Sequence, residues 1–453
     1  MSLTRREALL SALFGGSYLG LRSLATGLPV AFLANPLRAD TCSIDTAKAQ
    51  FIVMSTSDAG DPMNANMPGT YDFPDIAHPP AAMFPDFAQA TATVGGKSVK
   101  MAKCWADLIN SADPKIAVAN RIAFVHHSTQ NNSHTNQNKV QRLMGALPRQ
   151  EMLVSYLAKQ LAPCLGTIQR EPIVVGASGP GEFLSYEGRT LPKLAPRALR
   201  DTLLSAAGPL TNLQALRDQD LNRLNALFKQ TGNTAQKAYL DRLATSQTQV
   251  RSIAQNLLDN LSSITNDSTE GQIIASVALV AMKVAPVVSI HLRWGGDNHT
   301  DNNLQNEANQ TSESVAPLDG AGMPRKTGIP FLMQKLTDLG LRDQVLFMAM
   351  NVFGRTLKKL GTAGRDHWGT HHVTVLIGKP IKAGVIGSME IKNNEYNATP
   401  FDSTTGVGSA AGDITLNDGL AALGKTIGTA VGLSDTQLTT DLTGGKVIKA
   451  LLA

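Results

Sequence analysis

Gly364-Arg365-Asp366-His367-Trp368-Gly369-Thr370-His371-His372 runs straight into the apolar, β-branched segment Val373-Thr374-Val375-Leu376-Ile377. A second apolar run, Gln344-Val345-Leu346-Phe347-Met348-Ala349-Met350, precedes it. The tract therefore reads as a loop between two buried strands. Asp366, His367, His371 and His372 are all side chains that bind metals, and the mixture of carboxylate and imidazole suits zinc or another borderline divalent ion. Open α/β sheets place their chemistry just beyond strand ends, where this tract lies. The plainer reading is a polar loop with a solvated histidine pair.

Working outward, the same texture recurs. Ala49 to Met54 reads as a buried strand entering a polar loop with Asp58 and Asp61. Arg121 to His126 is a second strand, followed by an amide-rich stretch with Ser133-His134-Thr135 and then a helix. Glu171 to Gly176 is a third strand, and Pro286 to Trp294 a fourth that ends at Asp297-Asn298-His299. Helical periodicity covers Gln150 to Ala162, Gln272 to Lys283, a helix closing at Lys335 to Leu341, and a terminal helix over Leu416 to Val431. This alternation predicts an α/β fold with a mostly parallel central sheet. The stretch 196–264 carries leucines at helical spacing and no histidine, and is expected to be a helical hairpin insertion in a single domain spanning 41–453.

Residues 1–40 read as an export leader. Thr4-Arg5-Arg6-Glu7-Ala8-Leu9-Leu10 is a twin-arginine motif ahead of an apolar segment, which predicts a periplasmic or secreted protein with no stable transmembrane segment after signal cleavage. The formal charge of +5 falls to +3 outside the leader, with 37 basic against 34 acidic residues. So small an excess, with aromatics at 5%, excludes a dedicated nucleic-acid binder. There are three cysteines, in no zinc-ribbon or redox spacing. Cys104 and Cys164 are open to two readings, a disulfide or two buried thiols.

Four polar clusters thus stand at strand ends: Asp58/Asp61, Ser133-His134-Thr135, Asp297/His299, and Asp366-His367 with His371-His372. Two divalent ions in such a set clamp the attacking and leaving oxygens of an ester at phosphorus or sulfur. A hydroxyl beside an ion ionises near neutral pH and attacks. Ser133 is the candidate nucleophile, with Thr135 second; the alternative for Ser133 is a helix N-cap. Arg355 and Arg365 are candidates to hold the anionic oxygens.

At Phe353-Gly354-Arg355-Thr356 and Gly364-Arg365-Asp366-His367-Trp368 the chain resembles the DUF1501 family, bacterial and usually twin-arginine-exported proteins related to the alkaline-phosphatase/sulfatase superfamily. Asp61-Pro62-Met63-Asn64, Ser133-His134 and Gly296-Asp297-Asn298-His299 match further elements of its pattern. The resemblance implies an alkaline-phosphatase-like fold, a mostly parallel sheet with helices on both faces. It also implies that Asp61, Asp366 and His367 serve one ion with Ser133, while Asp297, His299 and His371 or His372 serve the other. Zinc is the first expectation, with manganese and calcium as alternatives, and a small anionic ester is the expected substrate; no protein partner is indicated. Two departures stand out. Val352 precedes Phe353 where the family carries an acid, and Asn298 replaces a threonine. The function expected is a metal-dependent hydrolase of phosphate or sulfate esters, and the alternative is a catalytically silent exported binding or assembly protein.

Overall fold

The computed structural model describes residues 45–453, except 46–47, 146–150, 168, 177–183, nearly all of 206–254, and 359–363. The expected leader, Cys42 and most of the expected helical insertion lie outside the described residues. Among the described residues, no helix is long and apolar enough to cross a membrane.

Eight strands form the central sheet. In chain order they are β1 (Phe51–Ser55), β2 (Ile122–His127), β3 (Ile173–Val175), β4 (Lys193–Leu194), β5 (Val287–Ile290), β6 (Val345–Ala349), β7 (His372–Ile377) and β8 (Gly384–Ile386). Their spatial order is β8-β2-β7-β6-β1-β5-β3-β4. β1 runs parallel to both β5 and β6, and the remaining neighbours are also parallel except around β7. β7 is antiparallel to β6 and to β2. The expectation of a mostly parallel sheet holds, and the strand after the opening tract is the one reversed member. Reversal has a local cause. β6 leads into the polar tract on the sheet's upper rim, and the chain turns back into β7 from that same rim with no crossover helix among the described residues.

The central strands are apolar throughout because both faces are covered. Phe51 to Ser55 and Val345 to Ala349 are buried at every position. The helix Thr269–Ala281 is buried along most of its length and packs against β5 and the helix Gly328–Asp338. Such packing explains why its pattern is apolar all round rather than striped.

This topology brings the C-terminal ends of β1, β2, β5 and β6 and the start of β7 to one rim. The loops there are pinned by a buried ion pair. Arg365 and Glu307 are fully buried, with Nε to Oε2 at 2.6 Å and Nη2 to Oε1 at 3.0 Å. Arg365 Nη1 also donates to the carbonyls of Thr356 (2.9 Å) and Leu357 (2.6 Å), and Nη2 donates to Ala77. All five guanidinium donors are used. The adjoining backbone is tied as closely: Gly364 N–H donates to His299 O at 2.8 Å and Arg365 N–H to Asn298 O at 3.0 Å. A Cβ on Gly364 would sit 1.7 Å from Asn298 O, so only glycine permits this approach. Asp301 is buried, not solvating the loop as its polar neighbourhood suggests. Its carboxylate accepts from the N–H groups of Asn306 and Glu307, both at 2.9 Å, and so satisfies the start of the helix Gln305–Val315.

Cys164 is in a disulfide and Cys104 is a buried free thiol, so the two are not joined to each other.

Glu307→Ala leaves a buried guanidinium facing no carboxylate. Urea unfolding should show a loss of about 3–5 kcal/mol; a change under about 1 kcal/mol would mean the pair does not hold the rim together.

Candidate metal centre

Two rim loops and a short ribbon deliver side chains to one spot. His134 opens a 3-10 turn, His134–Asn136, in the loop after β2. Asp297 and His299 come from the loop after β5. His367 belongs to a two-stranded ribbon in which Gly354–Arg355 pairs antiparallel with His367–Trp368, so that Arg355 and His367 are register partners. One ligand atom from each of His134, Asp297, His299 and His367 lies within 4.8 Å of all the others. No other group of this kind occurs among the described residues.

The ring nitrogens say which face of each imidazole is offered. His134 Nδ1 meets Asp58 O at 2.6 Å, and His367 Nδ1 meets Asn132 O at 2.8 Å. A carbonyl only accepts, so both Nδ1 atoms carry the proton and both Nε2 atoms present a lone pair. His299 Nδ1 lies 3.6 Å from Asp366 Oδ1, with its Nε2 turned the other way. That Nε2 is 2.9 Å from His367 Nε2 and 3.2 Å from Asp297 Oδ1. Three imidazoles thus converge with one carboxylate, and behind His134 and His367 a carbonyl holds Nδ1, the arrangement in which outer partners fix tautomer and raise ligand basicity. Partial burial lowers the pKa of His367, which keeps it in the neutral, metal-binding form.

Arg355 closes one side. It is fully buried and lies over the Phe353 ring, with Cζ 5.4 Å from the centroid. Nη2 donates to Ala59 O at 2.5 Å and to Asp297 Oδ1 at 2.9 Å, and Nη1 donates to Arg365 O at 3.2 Å. Partial burial works against ionisation of Asp297, but the hydrogen bond and charge of Arg355 outweigh it and lower the carboxyl's pKa.

A family model for proteins of unknown function, DUF1501, matches residues 191–445, more than half of the 453-residue chain. The chain belongs to the DUF1501 family. Asp297, His299, Arg355 and His367 lie inside the matched DUF1501 segment, and His134 lies ahead of it. No curated protein matches the chain.

Of the residues expected to act in this DUF1501 chain, Asp297, His299 and His367 converge, with Asp366 behind His299 and Arg355 beside Asp297. His134, the neighbour of the candidate nucleophile Ser133, joins them as a further candidate ligand. Its only signal was an imidazole at the head of a turn after a strand. Ser133 Oγ pairs with Thr135 Oγ1 at 3.2 Å. Arg365 does not reach the site with free donors, since Glu307 and three carbonyls take them all.

Asp61 and His371 lie elsewhere, in a buried layer beneath the rim. Asp61 accepts from Met63 N–H at 2.8 Å and from Trp294 Nε1–H at 2.9 Å, and stands 3.7 Å from His372 Nε2. Burial without a cation in contact pushes its pKa up to about 8. His371 belongs to a chain of neutral rings. Pro68 O accepts from His126 Nε2–H at 3.2 Å, which leaves His126 Nδ1 to accept from His371 Nε2–H at 3.0 Å. His371 Nδ1 then accepts from Asn64 Nδ2 at 3.2 Å. Both ring nitrogens of His371 are committed, so it offers no lone pair to an ion. The described residues therefore gather one centre where two were expected.

The buried layer makes a pH signature. Burial lowers His126 and His127 to about 4, and His371 and His372 well below the ordinary imidazole value. Between pH 6.5 and 4 the unfolded chain binds protons that the folded one does not, so stability must fall as pH falls through that window. Asp61 acts oppositely: its raised pKa contributes stability present below pH 4 and lost as pH rises towards 8. Melting temperatures of wild type should drop from pH 7 to pH 4.5, and Asp61→Asn should steepen that drop. Parallel profiles for the two proteins would refute the assignment of Asp61.

Proposed function

We propose that this chain is an exported, metal-dependent hydrolase of phosphate or sulfate esters, working with a single divalent ion, zinc in the first instance, at the rim of the sheet. The observation that carries the reading is the convergence of three imidazoles and one carboxylate, with Nδ1 of His134 and of His367 each held by a backbone carbonyl. A bare acidic patch has no such backing. His134, His299, His367 and Asp297 hold the ion, whose Lewis acidity polarises an ester oxygen and lowers the pKa of a nearby hydroxyl. Arg355 holds the anionic oxygens of the ester. Ser133, next to His134 in the chain, supplies the nucleophilic hydroxyl. Asp366 orients His299.

The single reversed strand in an otherwise parallel sheet, with ligands beyond its upper edge, supports placing this chain near the alkaline-phosphatase-like folds. The disulfide at Cys164 supports an oxidising compartment, in keeping with the twin-arginine motif.

A second reading rests on the ligand count. Three imidazoles and a carboxylate complete a tetrahedral zinc site, and catalytic zinc sites keep a position open. On that reading the ion cross-links loops and the protein binds without turnover. One experiment serves both. Purified mature protein is reconstituted with zinc or manganese, its metal content measured, and hydrolysis of aryl phosphates and aryl sulfates followed. One ion per chain with metal-dependent turnover is expected, and His134→Ala should weaken metal binding by about 100-fold. Failure to bind any ion sinks both readings; a bound ion without turnover leaves the second.

A further inference from the structure

The guanidinium of Arg355 is only half used by its acidic partner. In the same chain Arg365 grips Glu307 with Nε and Nη2 together, the side-on fork that matches two oxygens of one anion. Arg355 meets Asp297 through Nη2 alone, and its Nε–H is buried without a partner among the described residues. Nη1 and Nη2 also each donate to a backbone carbonyl, so the group is held in place independently of Asp297. Asp297, in contrast, is 59% exposed at its side chain, and Arg355 is 0%. The carboxylate oxygen on Nη2 is the same Oδ1 that stands 3.2 Å from His299 Nε2, at the metal-type cluster. One exposed carboxylate thus serves two sites, a buried guanidinium and a convergent imidazole set.

Resting on the metal-centre reading, we propose that Asp297 is a built-in stopper for a tetrahedral-oxyanion receptor formed by Arg355 Nε and Nη2, and that an ion drawing Asp297 onto the imidazoles opens that receptor. An oxyanion of a sulfate or phosphate group is larger than a carboxylate oxygen and spans both donors of the fork, which Asp297 as placed does not. The ion and the oxyanion then favour each other's binding, as linkage requires of two ligands that share one displaced group.

The test is calorimetric titration with sodium sulfate, and separately with inorganic phosphate, at low ionic strength. Chelator-treated wild type should bind neither anion appreciably. Asp297→Asn, also without metal, uncovers Arg355 and should bind at least one anion about tenfold more tightly. Adding Arg355→Lys to that variant should abolish the gain, because an ammonium cannot fork; near-ultraviolet circular dichroism checks that it remains folded. A gain with one anion alone assigns the receptor to that ester class. Zinc-loaded wild type should show a similar gain over the chelated protein. No gain in metal-free Asp297→Asn, or a gain that survives Arg355→Lys, overturns the proposal. So does wild type that takes up zinc with no change in anion affinity. Wild type that takes up no zinc defeats the metal-centre reading instead, and the Asp297→Asn arm, which uses no metal, still decides the stopper.

Discussion

The site depends on a salt bridge that never touches it. Arg365 and Glu307 are both withdrawn from water, and two buried charges are costly unless every donor and lone pair is met. Here the guanidinium spends all five donors, on one carboxylate and three carbonyls, and Glu307 also accepts from Asn66 Nδ2 at 2.5 Å. The pair joins the helix after the Asp297–His299 loop to the segment that carries His367. With Gly364 pressed on Asn298, two loops 66 residues apart in sequence are held in one register. His299 and His367 inherit their 2.9 Å approach from that clamp.

Beneath the rim lies a second polar layer with different chemistry. His126-His127 on β2 face His371 and His372, at the start of the antiparallel β7, with ring centroids of each facing pair at 5.3 Å. They are the same residue type as the rim histidines, and two influences separate them. Full burial holds the inner rings neutral. Their nitrogens are also mostly engaged within the layer, as with His127, which accepts from Thr374 Oγ1 and donates to Ser128 O. The rim rings are partly exposed, and His134 and His367 give Nδ1–H to a carbonyl, which leaves their Nε2 as an acceptor. Availability of a lone pair, rather than the density of histidines in the sequence, distinguishes the candidate centre from the core.

Glycine and aromatic positions complete the frame. Gly60 takes a left-handed conformation at φ +82° with the Phe353 ring where a Cβ would be, and that ring carries both the Arg355 guanidinium and, at 4.3 Å between centroids, the His367 imidazole. The turn after β1 thus shapes the site through its backbone, by the carbonyls of Asp58 and Ala59, while the Asp61 carboxylate turns inward to Trp294.

Apolar runs bounded by polar turns were enough to place β1, β2, β3, β5, β6 and β7 within a few residues, because burial on both faces leaves a continuous hydrophobic signature. The same pattern located the rim clusters, since loops after buried strands must be polar. Asp297, His299 and His367 were legible as members of one rim cluster for that reason. Which nitrogen each histidine offers was not, because a tautomer is set by whichever carbonyl folds behind the ring. Nor could spacing tell Arg355, with a donor left over, from Arg365, with none. The inward turn of Asp61, the commitment of His371 to its neighbours and the arrival of His134 all depend on contacts between segments far apart in sequence. Local pattern reports what a residue is and whether its segment is buried; only the packing of remote loops decides which of its atoms remain free to act.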